Sequence, residues 1–173
     1  YYNPNPNLSV LVYGSSFFMN TYDLIQDMMF SQARDWTAGT KVTYHVKDWF
    51  SVTGSLHADF YDRFKRHERI DKRQKDYESS IYQPRLTVTS NYFNGHSLIL
   101  GMEHTSDELT SDRFSGNANH DLKTRALKET EYFLQDEWTI NPRWMISVGI
   151  RTNFSKAFGF MGMPKVAAKY SPD

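Results

Sequence analysis

Between Trp36 and Tyr170 the chain repeatedly alternates apolar and polar side chains, and that alternation limits what it can fold into more than any other feature. Trp36, Ala38, Thr40, Val42, Tyr44 and Val46 take the even positions of one stretch, with Thr37, Gly39, Lys41, Thr43 and His45 between them. Phe50, Val52, Gly54, Leu56, Ala58 and Phe60 repeat the pattern, as do Tyr82, Pro84, Leu86, Val88, Ser90 and Tyr92. Trp144, Ile146, Val148 and Ile150 alternate with Met145, Ser147, Gly149 and Arg151. Only an extended chain sends neighbouring side chains to opposite faces, so these are strands of about ten residues with one apolar face. Weaker versions at 7–18, 96–105, 128–140 and 160–170 bring the total to about eight strands. No helical period competes with them.

The connections alternate in length. Short turns fall at Lys47-Asp48-Trp49, Phe93-Asn94-Gly95 and Asn141-Pro142-Arg143, where Asn-Gly and Asn-Pro supply the backbone geometry of tight turns. Long polar connections are expected at 19–35, 62–80 and 106–127, and a shorter one at 155–159. Asn3-Pro4-Asn5-Pro6-Asn7 and Ser171-Pro172-Asp173 read as turns on the short-turn side. A meander with short turns at one end and long loops at the other is the plan of an outer-membrane barrel.

The faces separate the possible solvents. Lys41, His45, His57, Asp59, Arg85, Glu103, Glu129, Glu131, Glu137, Arg151, Lys165 and Lys169 share the odd face. In a soluble antiparallel barrel that face would be the wet exterior, and this alternative accounts for the alternation as well. Two observations favour lipid. The aromatic share is 16%, and on the even face the rings gather at strand ends, with Val, Leu, Ile, Ala and Gly in the middles. Trp36, Tyr92, Trp138, Trp144 and Tyr170 are the interface anchors this arrangement predicts, because amphipathic rings prefer the headgroup layer. The strands also match a tilted crossing of the hydrocarbon, whereas soluble strands usually run to about five or six residues. The low mean hydropathy of -0.64 does not oppose this, since alternating faces average out. An open sheet in lipid would leave two unpaired edges, so the chain either closes on itself or belongs to a longer barrel.

The composition closes off other classes. A net charge of zero, with 23% charged residues, marks neither disorder nor a nucleic-acid partner. There is no cysteine, hence no disulfide and no thiolate site. No Ser-His-Asp spacing, phosphate loop or carboxylate–histidine metal motif is present, so neither an enzyme, a cofactor nor a metal site is expected.

The hairpin at 132–151 makes the reading specific. Phe133-Leu134-Gln135-Asp136-Glu137-Trp138, the turn Ile140-Asn141-Pro142-Arg143-Trp144, and Gly149-Ile150-Arg151 resemble the barrel of TonB-dependent outer-membrane receptors. Phe158-Gly159, Pro164-Lys165 and Tyr170-Ser171-Pro172 follow in the order that family uses, and Gly95 to Glu103 matches its strand ending in Gly-x-Glu. Residues 92–173 carry the resemblance, and 1–91 fit by pattern alone. It implies a transmembrane barrel of about 22 strands, of which residues 1–173 form one part. Such a barrel encloses its own plug domain and sits in the outer membrane of a Gram-negative bacterium. It imports scarce large ligands, namely ferric siderophores, haem, cobalamin or oligosaccharides, driven by a TonB complex engaging an N-terminal box. The plug, that box and the remaining strands are not in this sequence, which begins Tyr1-Tyr2-Asn3 and so reads as an internal segment. The alternative is a self-closed small barrel serving as structural protein, adhesin or passive pore.

Two groups of residues are expected to matter. Residues 63–76 hold seven Lys or Arg against three acids and read as an extracellular loop. Within it Arg63, Lys65, Arg66 and Arg69 would meet an anionic metal chelate or lipopolysaccharide phosphates, if the run is more than a solvated loop. His104 and His120 flank the next loop and are candidate contacts at the receptor mouth. By the resemblance, Gln135, Glu137, Arg151 and Lys165 face the plug. Asp136 is a misfit, since parity places it on the lipid side.

Overall fold

A computed structural model describes residues 2–23, 28–67, 72–111, 114 and 123–172. These form one antiparallel sheet in strict chain order: β1 (Tyr2–Asn5), β2 (Leu8–Asp23), β3 (Met28–Lys47), β4 (Phe50–His67), β5 (Lys72–Ser90), β6 (His96–Ser111), β7 (Lys123–Asn141), β8 (Trp144–Ser155) and β9 (Gly159–Tyr170). β2 to β9 are the strands the alternation predicts. β1 is a correction: Tyr2–Asn5 pairs with β2, and only Pro6-Asn7 turns.

The turns form for local reasons. The Asn141 side chain accepts hydrogen bonds from the Arg143 and Trp144 amides at 2.9 and 3.0 Å, closing the β7–β8 hairpin. Gly95 adopts φ +77° beneath the Thr139 carbonyl, a conformation and a proximity that a side chain would not tolerate.

The strands are longer than the sequence suggests. β3 has 20 residues, which at about 3.3 Å per residue and a tilt of about 45° rise about 47 Å, against about 30 Å of hydrocarbon. Apart from Phe114, the described parts of the segments expected as loops, 19–35, 62–80 and 106–127, belong to paired strands. Toward the long-loop end the apolar alternation ends. The backbone ladder does not need it and continues.

Register keeps even residues opposite even ones and odd opposite odd through the middle of the sheet, so the two faces stay pure. On the even face Leu8, Tyr44, Val52, Val88, Leu100, Leu134 and Ile150 form one continuous row. Rings bound it at both ends. Phe18–Trp36, Phe60–Tyr82 and Phe154–Phe160 touch at 5.5, 5.4 and 4.9 Å toward the loops, and Trp49–Tyr92 and Trp144–Tyr170 at 4.9 and 4.8 Å toward the turns. We call this the belted face and the other the polar face. Among the described residues nothing covers the belted face: Leu56, Leu100, Val148 and Ile150 are each about half exposed. Among the described residues only Ala33 and Phe133 are buried hydrophobics. A soluble protein would hide so large an apolar surface, whereas lipid wets it.

Candidate functional site

The polar face carries a ladder of charge built around one ring. Phe133 lies opposite both Gly101 and Arg151 in the register and is 9% exposed. The missing side chain of Gly101 lets the ring lie across β6, and the Arg85 and Arg151 guanidinium groups stand 4.8 and 6.0 Å from its centre. Each arginine also meets a carboxylate: Arg85 with Glu103 at 3.5 Å and Arg151 with Glu131 at 3.2 Å. Gln135 donates to Glu137 at 2.9 Å. Gln135, Arg151 and Lys165 line one cleft of about 350 Å³ with Phe133, Gly149 and Met163. The four residues expected on this side are therefore neighbours. Phe133 was not singled out beforehand; the signal was an aromatic at an odd position facing a glycine. On this face Asp35 Oδ1, Asp59 Oδ1, Ser147 Oγ and Asn153 Oδ1 are buried without a hydrogen-bond partner.

At the loop end a β-bulge reorganises the basic run. The β4–β5 register shifts between Arg63 and Phe64, which leaves Asp76 as the extra residue on β5. Its carboxylate therefore points to the polar face, where it takes a two-point contact from Arg63 at 3.2 and 2.9 Å and one from Lys65 at 3.4 Å. The Ser111 hydroxyl donates to the Asp76 carbonyl at 3.2 Å. The hydrogen bond donated by Arg63 to Asp76 holds the Arg63 pKa above its ordinary value. Past the bulge Lys75 lies on the belted side, bonded to Asp62 at 2.7 Å and Glu78 at 3.2 Å. Arg63, Lys65 and Arg66 thus belong to strand β4 rather than a loop, and Arg63 is already neutralised. Arg69 and His120 lie outside the described residues. Asp76→Ala is expected to cost about 1–3 kcal/mol locally, by stranding Arg63. Hydrogen exchange of the β4–β5 ribbon should rise while exchange below Tyr82 stays unchanged; equal protection in both proteins would show the bulge does not hold the ribbon.

His104 takes a different place from the one expected. It lies on the belted face, its Nδ1 2.9 Å from the Thr130 hydroxyl, with Glu103 on the opposite side of the sheet. Pro84 explains the local geometry: it has no amide hydrogen, and the β5–β6 ladder skips from Tyr82–Ser106 to Arg85–Glu103. Gln83 bridges the gap through Thr105 at 3.4 Å. Asp136, the misfit, has a partner: His96 Nδ1 stands 2.8 Å away, and the His96 ring stacks on Trp138 at 5.4 Å. Trp36, Tyr92, Trp138, Trp144 and Tyr170 all stand half exposed at the two ends of the belted face. Among the described residues no group of three or more metal-ligating side chains comes together.

The β-barrel model of the TonB dependent receptor-like family matches residues 1–173. The chain belongs to this family. No curated individual protein matches it. Two structures of ferric enterobactin receptor (PfeA) mutants from Pseudomonas aeruginosa superpose on it with TM-scores of 0.83 and 0.79, at 12% identity in each case. The superpositions cover 99% and 98% of this chain, and 30% and 29% of those structures. The chain therefore spans less than a third of the receptors it matches. The up-and-down antiparallel sheet described above matches the barrel fold of those receptors. Members of the family are receptors of the Gram-negative outer membrane, not enzymes.

Proposed function

We propose that this TonB-dependent receptor barrel forms part of the wall of an active importer, with its belted face in outer-membrane lipid and its polar face toward a plug domain. One observation carries the reading: a single sheet presents a bare aliphatic face bounded by rings and, behind it, a face of ion pairs and unpartnered buried polar atoms. A passive pore needs only a charged lining. A removable plug needs groups that trade partners, and this role is supported by Gln135, Arg151 and Lys165 lining one cleft, with Glu137 accepting a hydrogen bond from Gln135. The ligand is a scarce, large metal chelate of the ferric siderophore, haem or cobalamin class, in keeping with the fold's likeness to a ferric enterobactin receptor. Lys65, with Arg66 and Arg69 beyond it, is the cationic part of the loop end that would meet an anionic ligand. Energy arrives through a TonB partner engaging a segment ahead of the plug.

The test is growth of a deletion strain restored with the whole receptor, supplied with one ferric siderophore, haem or cobalamin as the limiting source. Growth on one class, lost without the receptor and equally lost without TonB, is the expected pattern. Uptake that persists in a TonB-deficient strain would return the barrel to the passive class.

A further inference from the structure

At the loop end of the belted face, register brings His104, Thr130, Phe154 and Phe160 into one row. Lys128 lies on β7 in the next row toward the loops, and Lys156 lies in the turn between β8 and β9. These residues line a cleft of about 560 Å³ together with Ser155 and Gly159. Its floor is aromatic, with Phe154 4.9 Å from Phe160 and 6.1 Å from Tyr132. Its rim is cationic. Lys128 and Lys156 are exposed, and neither forms an ion pair with a described carboxylate. Among the described residues the nearest acid of this face in the register is Glu108, opposite Ala126. His104 spends its Nδ1 on Thr130. Below the floor the same face continues as Met102, Leu134 and Ile150, half exposed.

Rings below and exposed ammonium groups above fit a molecule with an apolar tail and an anionic head. A soluble anion gains nothing from the ring floor, and the aliphatic surface beneath belongs in hydrocarbon. We propose that this cleft is a binding site for the phosphorylated lipid A of outer-leaflet lipopolysaccharide. A phosphate sits between Lys128 and Lys156, and acyl chains lie against Phe154, Phe160 and Tyr132. Charge complementarity selects the occupant: two ammonium groups without a counter-ion among the described residues meet a phosphomonoester carrying between one and two negative charges at neutral pH. The site lies on the opposite side of the sheet from the plug-facing cleft and serves anchoring or orientation in the leaflet. It rests on the outer-membrane reading.

The experiment uses the full-length receptor in detergent, as wild type and as the Lys128→Gln/Lys156→Gln variant. Native mass spectrometry reads retention of bis-phosphorylated lipid A beside its dephosphorylated counterpart. The variant should retain the phosphorylated lipid about tenfold or more weakly, with the dephosphorylated lipid unaffected. A Lys47→Gln/Lys169→Gln variant, which removes the same charge near the turns, should behave as wild type. Equal retention by wild type and the Lys128→Gln/Lys156→Gln variant would overturn the site. So would displacement of the lipid by millimolar inorganic phosphate, which marks a free-anion site. Fractionation separates the two readings: a receptor absent from the outer membrane fails both, and one that is present but shows no loss of lipid fails this site alone.

Discussion

Gly101→Val is expected to cost about 3 kcal/mol of barrel stability and to leave most of the receptor unassembled at urea concentrations the wild type withstands. A Cβ at position 101 would overlap the Phe133 ring and stand 2.7 Å from the Leu86 carbonyl oxygen. Backbone cannot yield there, and the ring cannot swing aside without leaving both Arg85 and Arg151. The comparison with other strand glycines makes the test sharp. At Gly39 the obstacle is the Tyr13 ring, which is 42% exposed and can swing out at the expense of its 3.1 Å contact with His57. Gly39→Val should therefore cost about 1 kcal/mol. Nothing lies within 4 Å of a Cβ at Gly54, so Gly54→Val should be neutral or slightly stabilising. Urea midpoints of the refolded whole receptor, read by the gel shift between folded and heat-denatured forms, rank the three. A Gly101→Val midpoint equal to that of Gly54→Val would show that the ring does not pack as described.

Leu134→Arg should be about as damaging, at about 2–4 kcal/mol, while Gln135→Arg next to it should change stability by less than about 1 kcal/mol. Leu134 sits between Leu100 and Ile150 in the aliphatic row, 43% exposed, where a guanidinium would have to face hydrocarbon. Gln135 opens into the cleft with Arg151 and Lys165, and Glu137 beside it can pair with a new cation. The same chemical change one residue apart thus measures which solvent each face meets. A soluble barrel with its core on the even face would also reject Leu134→Arg. The deciding measurement is the depth of a lipid-borne quencher that reaches Trp36, Trp138 and Trp144. Strong quenching near the headgroups, and none from a water-soluble quencher of equal reach, is the outcome expected of the belts.

Much of this was legible in the residues because strand alternation is a local property. Trp144, Ile146, Val148 and Ile150 announce their common face without reference to any partner, and the rings stand at the ends of that aliphatic face. The hairpin at Asn141-Pro142 was readable for the same reason, since its turn is closed by its own asparagine. Three readings failed where that locality ends. The segments 62–80 and 106–127 read as loops because their alternation fades, while the backbone of their described strands β4 to β7 stays paired. His104 reads as a mouth residue because it stands near the end of the expected strand 96–105, yet its even register position puts it on the belted face beside Thr130. Arg63 looked free because its partner lies thirteen positions on, reached only across a hairpin.

By itself, then, the chain determined its strand class, its two faces, its turns and the solvent each face requires, all consequences of nearest-neighbour geometry. Tertiary structure alone decided who meets whom across the strands. Phe133 covers Gly101 between two arginines, His96 answers the Asp136 charge, and one extra residue at Asp76 turns a carboxylate toward Arg63. Cross-strand partners are set by register and bulges, and a shift of one residue exchanges every face, so no run of residues along one strand can specify them.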